Sequence, residues 1–154
     1  MRRGGQRGYI FDTSVLVEIV RGTRLGKVAY NLLLKDEVAV FISEIHIAEL
    51  EYVICRKRGL EEAKKVVEKL LKSGYFHVLS LGGFIDKAAE IKCERAISLV
   101  DAFTIAMGEE LGITVVFAKL EKELRKEIKK KPFKTVITTI EELARAKDEG
   151  LFIG

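Results

Sequence analysis

This 154-residue sequence has only two cysteines, two histidines, two side-chain amides and one proline. Cys55 and Cys93 lie far apart without CxxC spacing, so they support neither a disulfide framework nor, with so few histidines, a structural zinc site. This usage is typical of a reducing cytoplasm, where we expect the protein to work. The scarcity of amides beside abundant Lys, Arg and Glu is typical of proteins from very hot habitats.

Long apolar runs and nucleotide-binding loops are also missing. No run approaches the roughly 20 apolar residues that a membrane span requires, so we expect no contact with a membrane. The N-terminal MRRGGQRG has no apolar segment behind it, so it predicts a flexible basic arm over residues 1–7 instead of a secretory signal. Neither GxxxxGK[ST] nor GxGxxG occurs, which removes the main support for nucleotide binding. A net charge of +4 permits a nucleic-acid partner without requiring one.

Short apolar segments alternate with helical patterns along the chain. The strands are predicted at 8–12, 38–43, 75–80, 113–118 and 134–139, and lack strict alternation, as expected for strands covered on both faces. The helices are predicted at 15–35 with a break near Gly22, 44–58, 61–73, 83–96, 98–111, 119–130 and 141–148. This order predicts one domain over 8–150, followed by a tail at 151–154. Its fold class is α/β, a three-layer α/β/α sandwich with a central parallel five-stranded sheet.

Three carboxylates stand in unusual places. Asp12 ends the first strand, where Asp12, Thr13 or Ser14 could simply cap the next helix, but where a parallel sheet also places its ligand crevice. Glu49 lies on an apolar helix face, from which its side chain could also reach solvent. Asp101 lies in a helix that is almost entirely apolar. A buried unpaired carboxylate there costs several kcal/mol, and no Arg or Lys lies within a turn of it.

Carboxylates without local basic partners predict a shared hard cation, Mg²⁺ or Mn²⁺. Without a nucleotide-binding loop, such a cluster favours metal-assisted hydrolysis of a phosphodiester. We interpret His46, one turn before Glu49, as a hydrogen-bonded structural residue outside the site.

The segments FDTSVLVEIVRG, ISEIHIAELEY and SLVDAFTIAMGEELGITVV together resemble the PIN domain, in its VapC-like branch, over about residues 8–140. The resemblance implies a Mg²⁺- or Mn²⁺-dependent endoribonuclease that forms homodimers, commonly a toxin neutralised by a VapB antitoxin. By position, Asp12, Glu49 and Asp101 match the three principal acids of the family. Asp12 and Asp101 would hold the ion, Glu49 would bind through water or orient the nucleophile, and Ser14 would support them from behind.

The resemblance fails at the fourth acid, because Lys119 stands where the family usually has an aspartate. Either Glu121 or Glu123 replaces that acid, or both are ordinary surface acids. The stretch 119–134 contains eight Lys or Arg and three Glu. It is either a solvated surface or an RNA contact made by Lys119, Lys122 and Arg125.

Three other functions stay open at this point. The chain could be a PIN nuclease of RNA maturation, such as ribosomal RNA processing, without an antitoxin. It could be a catalytically weakened RNA-binding module, for which Lys119 is the best support. It could also cleave DNA, since nothing in the sequence reads the ribose 2′-hydroxyl.

Overall fold

Five parallel strands form the central sheet, which confirms the predicted fold class. The computed structural model describes residues 7–148. The strands are β1 (Arg7–Phe11), β2 (Val38–Ser43), β3 (Phe76–Leu79), β4 (Thr114–Phe117) and β5 (Ile137–Thr139). Their order is β3-β2-β1-β4-β5, with all neighbours parallel. The predicted arm and tail lie outside the described residues, except for Arg7, which begins β1.

Eight helices connect and cover these strands within the described part of the chain. They are α1 (Thr13–Arg21), α2 (Arg24–Leu33), α3 (Glu44–Arg58), α4 (Leu60–Lys72), α5 (Ile85–Glu94), α6 (Leu99–Leu111), α7 (Lys122–Lys130) and α8 (Ile140–Asp148). A short 3-10 turn, Gly82–Phe84, precedes α5. No helix between residues 7 and 148 is long and apolar enough to cross a membrane.

Alternate strand residues divide the core into two halves. Tyr9 and Phe11 of β1 pack on the side covered by α1, α2, α3, α4 and α8. Ile10, between them, packs on the opposite side with α5, α6 and α7. This period-2 division produces the three layers, with both faces of the sheet buried.

Four elements begin two or three residues away from the predicted position for local reasons, while the other starts differ by one residue at most. Helix α1 begins two residues early, at Thr13, because Asp12 caps it. The predicted 83–96 helix opens as a 3-10 turn, with glycines at 82 and 83. Helix α7 begins only at Lys122, after Glu121 as its N-cap. β5 is shorter because the Lys134 amide donates to Glu109 and the Thr135 hydroxyl to the Ile113 carbonyl.

Helix α6 lies very close to β4. A Cβ added at Gly108 would overlap a methyl of Val115, whose branched side chain is fully buried and stiff. Glycine at this position therefore lets α6 approach the sheet. This seats the helix that carries Asp101 at the carboxyl end of the strands.

Candidate active site

Asp12 is both a helix cap and a buried acid. Its amide continues the sheet by donating to the Val116 carbonyl at 2.9 Å, and its Oδ2 accepts from the Ser14 amide at 2.9 Å. The carboxyl is almost fully buried. Burial raises the pKa of Asp12, although hydrogen bonds from Ser14, Thr13 and Thr104 oppose the rise. The two interpretations of this residue from sequence are thus compatible.

Glu49 is partly buried on α3, which lies in the helical layer opposite the one that contains Asp101. Burial raises its pKa, and the carboxylates of Asp12 and Glu121 raise it further. The Thr13 side chain lowers the pKa of Glu49, yet the buried Thr13 hydroxyl makes no hydrogen bond of normal geometry with a described residue. This buried hydroxyl, next to two acids, has an oxygen that is available as a ligand for a bound ion.

Asp101 lies in the first turn of α6, which Ser98 caps by accepting the Asp101 amide at 3.1 Å. The pKa of Asp101 is raised to about 7, first by burial and then by the carboxylates of Asp12, Glu121 and Glu49. The carboxyl is less buried than the apolar sequence around it predicts, because this turn opens at the end of the sheet. Complete burial begins at Ala102.

Glu121 completes an acidic cluster of Asp12, Glu49, Asp101 and Glu121. It is the exposed N-cap of α7, and its carboxylate raises the pKa of both Glu49 and Asp101. Lys119 and Glu123 are exposed on the same stretch. Glu121, two residues after Lys119, is the acid of this stretch whose charge raises the pKa of Glu49 and Asp101.

Ser14 connects the cluster to that stretch. Its hydroxyl accepts the Ala118 amide at 3.0 Å, which joins the start of α1 to the end of β4. This bond fixes the chain immediately before Lys119. The Ser14 amide thus contacts Asp12, while its hydroxyl contacts the end of β4.

The donor chemistry of the cluster fits a hard cation, although its side chains stand apart. Four carboxylates and the Thr13 hydroxyl offer only oxygen ligands, which Mg²⁺ and Mn²⁺ prefer. In residues 7–148 no three His, Cys, Asp or Glu side chains stand close enough together to enclose a metal ion. Repulsion between unneutralised carboxylates opposes such closure.

Two buried residues next to the cluster were not assigned to the site from sequence. His46 Nε2 lies 2.7 Å from Thr104 Oγ1, and Thr104 Oγ1 lies 3.5 Å from Asp12 Oδ1. His46 is hydrogen-bonded and buried, as predicted for a structural residue. The only signal for this contact was Thr104 itself, which is a polar residue in the apolar part of α6.

The surface beyond the cluster is basic. Lys122 and Arg125 are exposed on α7 and line a shallow depression with Lys126 and Lys129. Glu127 of the same helix is buried and faces Arg95 at 3.7 Å and Lys130 at 3.3 Å. Of the three glutamates in residues 119–134, Glu127 therefore forms ion pairs with neighbouring basic side chains.

An apolar groove of about 600 Å³ lies between α1, α2 and α4. Its apolar lining includes Ile19, Val20, Leu33, Val66, Leu70 and Phe76. Lys27, Arg58 and Lys69 also line it. The groove is thus apolar with cationic side chains along it.

Comparison with known proteins gives a family match and several matching folds. The family model of the PIN domain matches residues 9–126. No curated protein matches the chain at a significant level. VapBC2 of Rickettsia felis, bound to a DNA fragment from its promoter, is 19% identical with a TM-score of 0.66, covering 86% of this chain and 98% of its own.

Two further structures have the same fold. VapC20 of Mycobacterium tuberculosis, a toxin that cleaves the sarcin–ricin loop, is 19% identical with a TM-score of 0.59, over 77% of this chain and 93% of its own. PAE2754 of Pyrobaculum aerophilum is 20% identical with a TM-score of 0.62, over 94% of both chains. At these identities the likeness shows the fold alone.

The raised pKa of Asp101 predicts how stability depends on pH in the absence of metal. Between about pH 4 and 7 the folded chain binds more protons than the unfolded chain, so its free energy of unfolding falls as pH rises. Asp101→Asn should therefore be more stable than wild type at pH 8, by about 2 kcal/mol after allowance for solvent screening. At pH 4 the two should be equal.

Urea unfolding in the presence of a chelator at both pH values measures this difference. Asp36→Asn removes an exposed carboxylate in the turn before β2 and serves as the control. A variant Asp101→Asn that is less stable than wild type at pH 8 would show that the carboxylate has a stabilising partner.

Proposed function

Because this chain belongs to the PIN domain family, we propose that it is a Mg²⁺- or Mn²⁺-dependent endoribonuclease, the toxin of a VapBC-type pair. The observation that carries the proposal is that four acids lie at one edge of the sheet, where burial and then the carboxylates of Asp12, Glu121 and Glu49 raise the pKa of Asp101 to about 7. Carboxylates that repel one another at one edge of a sheet do not stabilise a scaffold, whereas a bound cation would offset their repulsion. Perturbed titration is also typical of functional sites.

Asp12 and Asp101 would hold the cation. Glu121 would take the place of the aspartate that the family usually has at the position of Lys119. Asp12 is fixed by its cap hydrogen bond, and Asp101 by the capped first turn of α6. When bound, the cation supplies positive charge that activates water and stabilises charge building up on the phosphate. It would also offset the repulsion from neighbouring carboxylates that helps to raise the pKa of Asp101.

Glu49 is the candidate general base. Its raised pKa makes its carboxylate a stronger proton acceptor than an ordinary exposed glutamate. A water oxygen would attack phosphorus while a Glu49 carboxylate oxygen takes its proton. The bond from phosphorus to the 3′ oxygen would break and that oxygen would take a proton from solvent, leaving a 5′-phosphate and a 3′-hydroxyl.

The partners follow from the surfaces. The basic side chains Lys119, Lys122 and Arg125 would contact RNA phosphates. The apolar groove between α1, α2 and α4, with its three cations, suits an acidic amphipathic segment such as an antitoxin would provide. A homodimer is also proposed. On α3, Leu50 and Ile54 lie in the core, whereas Tyr52 is exposed and available for such an interface.

RNA maturation without an antitoxin uses the same site and differs only in partner. The groove favours the toxin, because a nuclease without an antitoxin has no need for an apolar surface there. A weakened RNA-binding module is disfavoured by Glu121, which keeps a fourth carboxylate at the cluster despite Lys119. Cleavage of DNA is an outcome of the substrate test below.

The proposal is tested by cleavage of a single-stranded RNA, and of DNA of the same sequence, with Mn²⁺ or with a chelator. Asp12→Asn and Asp101→Asn should each lower the rate of RNA cleavage roughly 100-fold or more, because both remove charge that holds the cation. Both should also lose the rise in melting temperature that Mn²⁺ gives wild type. Cleavage at the uninhibited wild-type rate, either by Asp101→Asn or by wild type in the presence of chelator, would refute the metal site.

Glu121 and Glu123 form a matched pair for the fourth acid. Glu121→Gln should lower the cleavage rate about tenfold, because its carboxylate acts on Asp101 and Glu49. Glu123→Gln removes an exposed carboxylate two residues after Glu121 that does not act on Glu49 or Asp101, and it should leave the rate unchanged. Equal effects in the two variants would mean that neither glutamate takes the role of the missing aspartate.

The basic surface predicts the salt dependence of RNA binding. The double variant Lys122→Gln with Arg125→Gln should bind RNA more weakly in chelator, where no cleavage occurs. The slope of log affinity against log salt should fall by roughly 0.7 for each phosphate that the variant no longer neutralises. Lys64→Gln with Lys65→Gln, exposed on α4 in the opposite layer, is the control. A slope that changes equally in both double variants would contradict a specific RNA surface on α7.

A further inference from the structure

A hydrogen bond between two buried side chains crosses the carboxyl edge of the sheet. His46 belongs to α3 in one layer, and Thr104 to α6 in the other. His46 Nε2 lies 2.7 Å from Thr104 Oγ1, and both residues are fully buried. The bond therefore connects the two helical layers directly beside Asp12.

The direction of this bond follows from the other side of the imidazole ring. The Ser43 amide lies 3.0 Å from His46 Nδ1, and an amide N–H can only donate, so Nδ1 must accept. In a neutral ring the hydrogen is then on Nε2, which donates to Thr104. Burial keeps the ring neutral by lowering the pKa of His46 to about 3.

Thr104 passes this constraint on to Asp12. Its oxygen accepts from His46, so its own hydrogen has two acceptors within reach, the Val100 carbonyl at 2.8 Å and Asp12 Oδ1 at 3.5 Å. A rotation of the hydroxyl between these acceptors needs no movement of the backbone. Thr104 can therefore donate its hydroxyl hydrogen to Asp12 Oδ1 when the Asp12 carboxyl is charged.

We propose that His46 and Thr104 are a pair of positioning residues that hold the carboxylates of the site in place for a divalent cation. The inference rests on the proposed function, since Asp12 and Asp101 are the acids served. His46 lies one turn before Glu49 on α3, and Thr104 one turn after Asp101 on α6. The hydrogen bond between His46 and Thr104 thus fixes the spacing of the two helices that carry Glu49 and Asp101. Thr104 also lies beside the third acid, Asp12.

The mutual repulsion of the acids explains the need for such a pair. Glu49 on α3 and Asp101 on α6 carry like charge at the same edge of the sheet as Asp12, so without a cation their repulsion opposes the approach of these helices. Groups that orient metal ligands from behind typically change metal affinity 10–100-fold when they are removed. A pair that only joined two helices would affect stability and leave metal affinity unchanged.

Calorimetric titration with Mn²⁺ separates these roles. Thr104→Val removes the hydroxyl with little change of shape and should weaken Mn²⁺ binding at least about tenfold. Thr104→Ser keeps the hydroxyl and should bind within about twofold of wild type. Thr135→Val is the matched control, because it removes a hydroxyl that donates to a backbone carbonyl at 2.8 Å at the other end of the sheet.

Wild-type affinity in a folded Thr104→Val would overturn the positioning role. Failure of wild type to bind Mn²⁺ would instead overturn the proposed function. If Thr104→Val does not fold, the nitrogen NMR spectrum of wild type decides. The chain has two histidines, and exposed His77 is the internal reference. His46 should be protonated on Nε2 and shift on addition of Mg²⁺ while His77 does not; an Nδ1-protonated His46, or no shift, contradicts the inference.

Discussion

Mutual repulsion of carboxylates at the carboxyl edge of the sheet is the constraint on which the proposed site depends. All five strands are parallel, so the chain leaves each of them at the same edge of the sheet. One acid comes from the end of β1, and one each from α3, α6 and the N-cap of α7. Burial raises the pKa of Asp12, and burial together with neighbouring carboxylates raises the pKa of Glu49 and of Asp101. The fold tolerates this cost because packing elsewhere fixes the elements that carry the acids. A divalent cation would convert the cost into binding energy.

Small contacts transmit the rigidity of the core to these acids. Gly108 lets α6 approach β4, Ser14 holds the end of β4 to the start of α1, and Ser98 caps the turn that carries Asp101. Each of these contacts lies within one element or between elements that are neighbours in the fold. The bond between His46 and Thr104 differs because it connects the two layers at the edge where the acids meet.

Much of this could be predicted from sequence because it follows from local patterns. The bounds of β2 and α3 were predicted correctly, since a buried strand, Ser43 and an apolar helix follow one another directly. Asp101 was identified by the cost of an acid in an apolar helix. The link from His46 to Thr104 was not predicted, because it depends on contact between residues distant in sequence. The partial exposure of Asp101 was missed because periodicity does not show where a helix leaves the core.

The most direct test of the cation site is anomalous diffraction at the manganese edge from crystals soaked in Mn²⁺. The account predicts one anomalous peak at the carboxyl edge of the sheet, within ligand distance, roughly 2.0–2.2 Å, of carboxylate oxygens from Asp12 and Asp101. Glu49 and Glu121 should lie around it, closer together than in the metal-free chain. No peak at that edge, or a peak held by other residues, would contradict the account.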